Sequence, residues 1–438
     1  MDTAVTLPFS IDVSWLPGSY GPEEIRQTAA SLRIAIGDRI ATRIEDCWSK
    51  SVQPATRVSA YPLALWIASS WWRLRWEPQP FRSAPQLSWR MAHEMPGAGH
   101  GFLWPLLTFD SDGEEIAVAC RPSESLSDEP FRYLADFRDV VPASAFEKEL
   151  DRFVNLVLAR LEAVGVGQTD LQDLWAEVQS ERADSQLARG RRLEAQLGFD
   201  ADEAPEGLLE HLDVLSHTAG VAAVEELAPA CAGSQPERTL RQIEEFSHLH
   251  GPEARISLPG GLASVASCFT VPWERGWSLA LAVRRSCGLE TETVSDENLA
   301  GLIGIPAEAL QQPDRATSRL PLGLAIRNGR RDRLKLLFRK RNRPALRFEA
   351  ARFVAEQIMA PKDDRWLPAT DTSTARQKVQ RAFAAEFLCP IEALKNFLDG
   401  DFSSEAIEEA SEHFAVSELA VKSHLANHRQ IPFDAVGV

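Results

Sequence analysis

Long hydrophobic runs are missing from this 438-residue sequence, since no stretch approaches the roughly 18 consecutive apolar residues of a membrane span. The first residues, MDTAVTLPFSIDVSW, also lack the basic segment followed by an apolar run that defines a secretory signal. Cysteine is scarce and its spacing is unpaired, which predicts reduced thiols in a cytoplasm rather than a disulfide framework. We therefore expect a cytoplasmic protein that does not engage a membrane. The six cysteines are Cys47, Cys120, Cys231, Cys268, Cys287 and Cys389.

Nucleotide-binding and serine-hydrolase motifs are missing as well. The sequence contains no G-x-x-x-x-G-K-[ST] loop, no G-x-G-x-x-G after a predicted strand and no G-x-S-x-G elbow. An excess of positive charge is also missing: 47 Lys and Arg residues face 63 Asp and Glu residues, a net charge of −16 that repels a phosphate backbone. The sequence thus predicts no bound cofactor, and nucleic-acid binding would require a local basic patch.

Material for packed cores is abundant, because 44% of the residues are apolar and 25% are charged, as in globular proteins. At about 150 residues per domain, the length favours two or three domains. Eight of the twelve tryptophans lie before residue 105. We predict an α+β, mainly helical chain with a Trp-rich α/β domain at 1–142, a helical region at 143–250 and a third domain at 251–438.

Local signals predict several individual elements. A buried, tryptophan-rich helix is expected over 62–75, because a proline opens it and another follows it. Pairs of apolar runs predict β-hairpins around 111–113 and around Asn328-Gly329. Near the C-terminus, a turn at 415–417 separates two helices, and Ser417 is expected to cap the second.

The C-terminal part resembles the ImmA/IrrE family of zinc metallopeptidases. The similarity rests on RAFAAEFLCPIEAL and EEASEHFAVSELAVKSHLANHRQI, and on RFEAARFVAEQI, which occupies the place of a family helix reading roughly RFTLAHELGHLLL. It covers about residues 270 to 430. The resemblance implies a bacterial, zincin-like domain with a small sheet and a helix-turn-helix-like tail. Family members work with repressors in stress responses and in the control of phages and mobile elements.

The sequence departs from this family where the chemistry would lie. A zincin needs two His at i and i+4 for the metal and a Glu as general base. The aligned residues are Arg352, Phe353 and Glu356, and the third ligand would fall near Gln377 or Val379. Because an arginine cannot ligate zinc and a phenylalanine cannot accept a proton, we predict no metal and no catalysis there. Arg352 and Glu356 could form a buried pair in the abandoned pocket or could both face solvent.

One basic segment stands out between residues 327 and 347, where ten Lys and Arg residues accompany a single Asp, a local balance of +9. Such a segment could bind a phosphate backbone or an acidic protein surface, or it could be a solvated sheet edge. The candidate binding residues are Arg330, Arg331, Arg339, Lys340, Arg341 and Arg343.

Histidines offer weaker signals. His93, Glu94 and His100 lie in a Pro- and Gly-containing loop, which could hold a metal but lacks helical ligand geometry. The tail histidines His413, His424 and His428 are interpreted as surface or capping residues. From all these features we expect a non-catalytic regulatory or defence-associated binding protein that recognises a protein partner, in an oligomeric state left open. The alternatives are a nucleic-acid-binding component that uses 327–347 and a metal-dependent hydrolase with an N-terminal site.

Overall fold

The computed structural model describes residues 9–80, 84–124, 130–205, 207–266, 268–311, 320–432 and 436, but not the side chains of residues 330–332. The chain forms two compact units, residues 1–209 and 210–438. Helices outweigh strands, and each sheet is small and antiparallel, which confirms the predicted α+β, mainly helical class. The predicted boundaries after residues 142 and 250 stay predictions. No helix in the described part of the chain combines the length and apolar character that a membrane span requires.

The N-terminal unit contains three small sheets, with strand orders β1-β2-β3 (and β6 beside β2), β10-β8-β7 and β5-β4-β9. Its strands are β1 (Phe9–Trp15), β2 (Ala29–Ile36), β3 (Arg39–Ile40), β4 (Ile44–Asp46), β5 (Val52–Gln53), β6 (Thr56–Ser59), β7 (Leu106–Ser111), β8 (Glu115–Arg121), β9 (Phe131–Tyr133) and β10 (Phe137–Pro142). Its helices are α1 (Glu23–Gln27), α2 (Ala60–Trp76), α3 (Leu87–His93), α4 (Ala143–Ala163), α5 (Asp170–Ala183) and α6 (Ser185–Gln196).

Helix α2 is the centre of this unit. Trp66, Trp71 and Trp72 are each less than 10% exposed, so the tryptophan-rich helix is core rather than a binding platform. The indole Nε1 of Trp72 donates to Glu181 on α5 at 2.6 Å, which satisfies its polar atom inside the core. Helices from the predicted middle region thus share one core with the N-terminal strands.

The C-terminal unit combines one four-stranded sheet, of order β11-β13-β12-β14, with the remaining helices. Its strands are β11 (Glu253–Arg255), β12 (Leu322–Asn328), β13 (Arg330–Leu337) and β14 (Trp366–Thr370). Its helices are α7 (Leu208–Ala219, which spans the boundary between units), α8 (Val221–Cys231), α9 (Pro236–Ser247), α10 (Leu262–Ala266), α11 (Pro272–Ser286), α12 (Asp296–Ile303), α13 (Arg343–Met359), α14 (Ala375–Leu388), α15 (Ile391–Leu398), α16 (Ser404–Phe414) and α17 (Glu418–Asn427).

Two predicted features of this unit are confirmed. Strands β12 and β13 form the hairpin around Asn328-Gly329, and the Ser417 hydroxyl caps α17 by accepting from the Ala420 N–H at 3.2 Å. Helix α14 is central, because α11 and α13 both pack on it. A Cβ at Gly276 of α11 would lie 2.6 Å from the Val379 carbonyl oxygen on α14, so only glycine permits this close helix approach.

Candidate functional site

The candidate site lies between α13, α14 and the edge strand β14. Asn342 starts α13 by accepting from the Ala345 N–H at 2.9 Å, and Thr374 starts α14 by accepting from the Gln377 N–H at 3.3 Å. These caps fix where each helix begins. One face of α13 and one face of α14 then meet beside the last strand of the sheet. Between them the structure buries several polar side chains.

Arg352 is the centre of this buried network and is only 4% exposed. Its Nε donates to Gln380 Oε1 at 3.2 Å, and its Nη2 donates to the carbonyl oxygen of Thr370 at 2.6 Å and to Gln377 Oε1. Burying a guanidinium without partners would be costly. Here the two glutamines and one backbone carbonyl provide them.

The two glutamines connect Arg352 to carboxylates through hydrogen bonds. Gln377 accepts from Arg352 through its oxygen and donates through Nε2 to Glu226 Oε2 at 2.9 Å. Gln380 accepts from Arg352 in the same way and donates through Nε2 to Glu356 Oε2 at 2.6 Å. A side-chain amide suits this position because it both accepts and donates. We call Arg352, Gln377, Gln380, Glu356 and Glu226 the arginine–glutamine network.

Glu356 also forms an ion pair with Arg376, a second arginine of the site. Arg376 Nε donates to Glu356 Oε1 at 2.8 Å, and Arg376 Nη2 contacts the same oxygen and Asp364 Oδ2, the latter at 3.2 Å. Glu356 is 0% exposed, so its charge is compensated inside the protein rather than by water. Both of its oxygens are occupied by side chains of α14.

The same side chains close the free edge of the sheet. Within the described residues β14 pairs only with β12, and Pro368 has no N–H to offer. The Pro368 carbonyl accepts from both glutamine amides, at 3.2 and 3.1 Å. The Thr370 N–H donates to Gln377 Oε1 at 2.9 Å. Backbone groups that an extended peptide would otherwise pair with are therefore already bonded.

Burial shifts several pKa values in and around the network. Burial lowers the pKa of Arg352 to about 10, so its guanidinium stays charged at neutral pH. Burial also raises the pKa of Glu226 and of Asp364 above their ordinary values, against the opposing effect of Arg376. The pKa of Arg376 is raised, because Glu356 and its other carboxylate neighbours outweigh the effect of burial.

The residues aligned with zincin chemistry are all buried, so the alternative in which Arg352 and Glu356 face solvent is wrong. The two side chains share Gln380 as a common partner rather than bonding to each other directly. Phe353 is 0% exposed and packs against Phe338, 5.7 Å between ring centroids. Of the two positions considered for a third ligand, Gln377 belongs to the network, whereas Val379 is a buried apolar residue.

The basic segment is less exposed than its composition suggests. Arg339 makes two bonds to Asp371, at 2.7 and 2.8 Å, and its side chain is 8% exposed, so it is not available for binding. Arg343 pairs with Asp296 at 2.8 Å but remains half exposed. Arg341 is exposed and Lys340 is partly buried, while the side chains of Arg330 and Arg331 lie outside the described residues.

The segment considered for an N-terminal metal site does not bring its residues together, and His93 ends helix α3 rather than lying in a loop. His93 is fully buried and contacts Glu77 Oε2 at 3.0 Å and the Phe109 carbonyl at 2.9 Å. Glu94 pairs with Arg90 instead, at 2.9 Å. The N-terminal unit, as far as it is described, contains no cluster of three metal-ligating side chains.

Of the three tail histidines, His413 is exposed and His428 caps the end of α17, as expected, whereas His424 differs. His424 is 1% exposed, and its Nε2 lies 3.0 Å from Glu386 Oε2, so its interpretation as a surface residue is wrong. His428 Nε2 lies 3.9 Å from the same oxygen. Among the described residues, Glu386, His424 and His428 form the one group of three side chains whose ligand atoms are close enough to hold a metal. The i, i+4 spacing of the histidines was the available signal, but Glu386 is far away in sequence.

A shallow cleft of about 460 Å³ lies elsewhere in the C-terminal unit, where α7 and α9 face the sheet. None of the network residues lines it. The cleft is bordered by Leu215, Thr218, Glu244, Ser247, His248, Ile326, Asn328, Lys335, Arg365 and Trp366.

Comparisons with known proteins yield no relative. No protein-family profile matches the chain, no curated protein matches its sequence and no solved structure matches its fold. The resemblance to ImmA/IrrE peptidases therefore stays a prediction drawn from the residues quoted above.

Proposed function

We propose that this chain is a non-catalytic binding protein of regulatory or defence-associated type, which uses a peptidase-like C-terminal unit as a scaffold for recognising a protein partner. The observation that carries the proposal is the arginine–glutamine network. Where a hydrolytic relative would need open metal ligands and a base, Arg352 is bonded to Thr370, Gln377 and Gln380. Glu356, the one carboxylate, is bonded on both oxygens.

Two physical consequences support the absence of catalysis. A general base must have a lone pair directed at the attacking water, and the Glu356 lone pairs are directed at Arg376 and Gln380. An extended substrate would also need a free strand edge, and the edge of β14 is occupied by Gln377 and Gln380.

The loop after β13 supports recognition of an acidic partner. Arg341 is exposed, and Arg343 is half exposed although it pairs with Asp296. These cations lie on a chain whose overall charge is −16, so a positive surface here would attract an acidic protein surface locally. Because Arg339 is internal, it is removed from the candidate binding residues for an acidic partner and for a phosphate alike.

Catalysis is tested with zinc-supplemented protein and a diverse peptide library, with mass spectrometry as the readout. We expect no cleavage above that of the Glu356→Gln variant. Peptide hydrolysis by the wild type that disappears in Glu356→Gln would contradict the proposal.

Recognition is tested by photo-cross-linking in the native host, with the cross-linking amino acid placed at Arg341 and, as a control, at exposed Glu409 on α16. We expect a protein adduct from position 341, reduced by high salt and absent from position 409. A nuclease-sensitive adduct from position 341 would instead support the nucleic-acid alternative. The same adduct from both positions would contradict a specific interface.

A further inference from the structure

A second polar cluster lies at the opposite end of α14 from the arginine–glutamine network. Glu386 is in the last turn of α14, His424 is in α17 and His428 follows one turn later, directly after α17. Glu386 and His424 are 2% and 1% exposed, and the His428 side chain is 18% exposed. We call these three residues the tail cluster.

The tail cluster has the donor set of a zinc-class site. Two histidines at i and i+4 present both imidazoles on one side of a helix, and a carboxylate from another helix faces them. The Glu386 Oε2 atom lies 3.0 Å from His424 Nε2 and 3.9 Å from His428 Nε2, and one ligand atom from each residue lies within 4.8 Å of the others. Tetrahedral zinc, with bonds of about 2.0–2.2 Å, separates its ligand atoms by roughly 3.3–3.6 Å. Small side-chain rotations would therefore suffice.

The cluster is also unsatisfied in a way that the arginine–glutamine network is not. His424 Nδ1 and His428 Nε2 are buried and have no hydrogen-bond partner in the described part of the chain. A buried imidazole nitrogen without a partner costs about 1–3 kcal/mol. His428 Nε2 is close to a carboxylate oxygen but makes no hydrogen bond with it, and a cation bound between the two atoms would give His428 Nε2 the partner that it lacks.

The surroundings hold the rings in place. The His428 ring stacks on Trp277 of α11, with 3.8 Å between the ring centroids. The Ile391 N–H donates to Glu386 Oε2 at 3.3 Å, which orients the carboxylate toward the histidines. Such outer contacts are what fix ligand side chains around a metal.

We propose that Glu386, His424 and His428 bind one divalent transition-metal ion of the zinc class, with a remaining position for water, and that the ion ties α17 to α14. The ion would join elements that are distant in sequence. Because an unfolded chain does not present this geometry, binding would stabilise the folded C-terminal unit. This site is separate from the positions aligned with peptidase chemistry, so it does not depend on the proposed function.

The test uses full-length protein carrying no histidine tag, stripped with a chelator and then titrated with Zn²⁺ or Co²⁺. We expect one zinc per chain by elemental analysis, intense visible absorption from tetrahedral cobalt and a higher Tm with zinc. His428→Ala is expected to weaken binding at least about tenfold, since even the loss of outer contacts costs 10–100-fold. The control His413→Ala, at an exposed histidine of α16, should bind zinc like the wild type.

A second variant keeps the test decisive if His428→Ala alters folding. Glu386→Gln removes the carboxylate but retains a side chain of the same size, and it should also lose the cobalt spectrum. The proposal is overturned if the wild type binds no stoichiometric metal, or if both variants bind it unchanged. Metal that is lost in Glu356→Gln but retained in His428→Ala would place the ion elsewhere, and would overturn this proposal together with the non-catalytic function.

Discussion

Helix α14 carries two buried polar clusters that differ in one respect. At its N-terminal end, the arginine–glutamine network gives every polar group of Gln377 and Gln380 a partner within the protein. At its C-terminal end, the tail cluster leaves two imidazole nitrogens without a partner. Both clusters are mainly buried and each includes one partly exposed residue, Glu226 or His428, so exposure does not distinguish them. Saturation does.

This contrast bears on how buried polar clusters are interpreted. A saturated network has no free lone pair for a metal or a substrate, and its role is to join elements: here α8, α13, α14 and β14. An unsaturated cluster of ligand-type side chains has capacity left for a bound ion. The residues aligned with peptidase chemistry belong to the first kind, and the tail cluster belongs to the second.

The largest expected effect comes from breaking the saturated network at its centre. Arg352→Met keeps a long side chain but leaves Gln380 Oε1 and the Thr370 carbonyl without their donor. Gln377 Oε1 loses one of its two donors and keeps the Thr370 N–H. Losing one partner of a buried charged network costs about 3–5 kcal/mol, so we expect a loss of that size in the free energy of unfolding. Urea unfolding followed by circular dichroism measures it. The control Arg341→Met, at an exposed arginine, should change stability by less than about 0.5 kcal/mol.

A smaller loss of stability is expected from a change at Glu356, the carboxylate to which Gln380 donates. In Glu356→Gln, the new amide NH₂ would face either the NH₂ of Gln380 or the guanidinium of Arg376, so donors meet donors. We expect a loss of about 2 kcal/mol in the free energy of unfolding, in the same urea assay. A stability equal to that of the control Glu409→Gln would show that the network is not saturated.

Much of the fold could be predicted from local sequence signals. The Asn328-Gly329 hairpin, the buried tryptophan helix and the Ser417 cap each depend on a few neighbouring residues, and all three are present. Periodicity predicts helices over 143–196, and in the structure these helices share a core with the N-terminal strands. That packing depends on which apolar faces meet, and periodicity alone does not specify it.

The candidate site could be predicted only in part, for the same reason. Alignment on the helix containing Arg352 and Glu356 suggested Gln377 as a neighbour, and the structure brings it into contact with Arg352. Glu226 could not be found, because it approaches from 151 residues away along the chain. Basic composition likewise overstated the exposed charge, because pairing with Asp371 buries Arg339.

The arginine–glutamine network can be probed further through pH. Burial raises the pKa of Glu226 above its ordinary value of 4.5, so the folded state binds a proton more tightly than the unfolded state. Stability from this group is therefore full at low pH and falls as pH rises from 4.5 through the raised pKa. Relative to Glu226→Gln, which still offers an oxygen to Thr374 and Gln377, the wild type should become less stable over that range. Urea midpoints of both proteins from pH 4 upward measure the difference, and parallel curves would argue against a buried carboxyl group.

The smallest expected effect separates the tail cluster from the network most directly. In the presence of a chelator, His428→Ala removes a ring whose Nε2 makes no hydrogen bond, so what is lost is its stacking on Trp277 and its edge contact with the His424 ring. Ring stacking contributes about 0.5–1.5 kcal/mol, and relief of the unpartnered nitrogen opposes that loss. We expect the free energy of unfolding to change by less than about 1 kcal/mol, far less than for Arg352→Met. A large loss of unfolding free energy in the absence of metal would mean that His428 already has a hydrogen-bond partner. The tail cluster would then be saturated in the same way as the arginine–glutamine network.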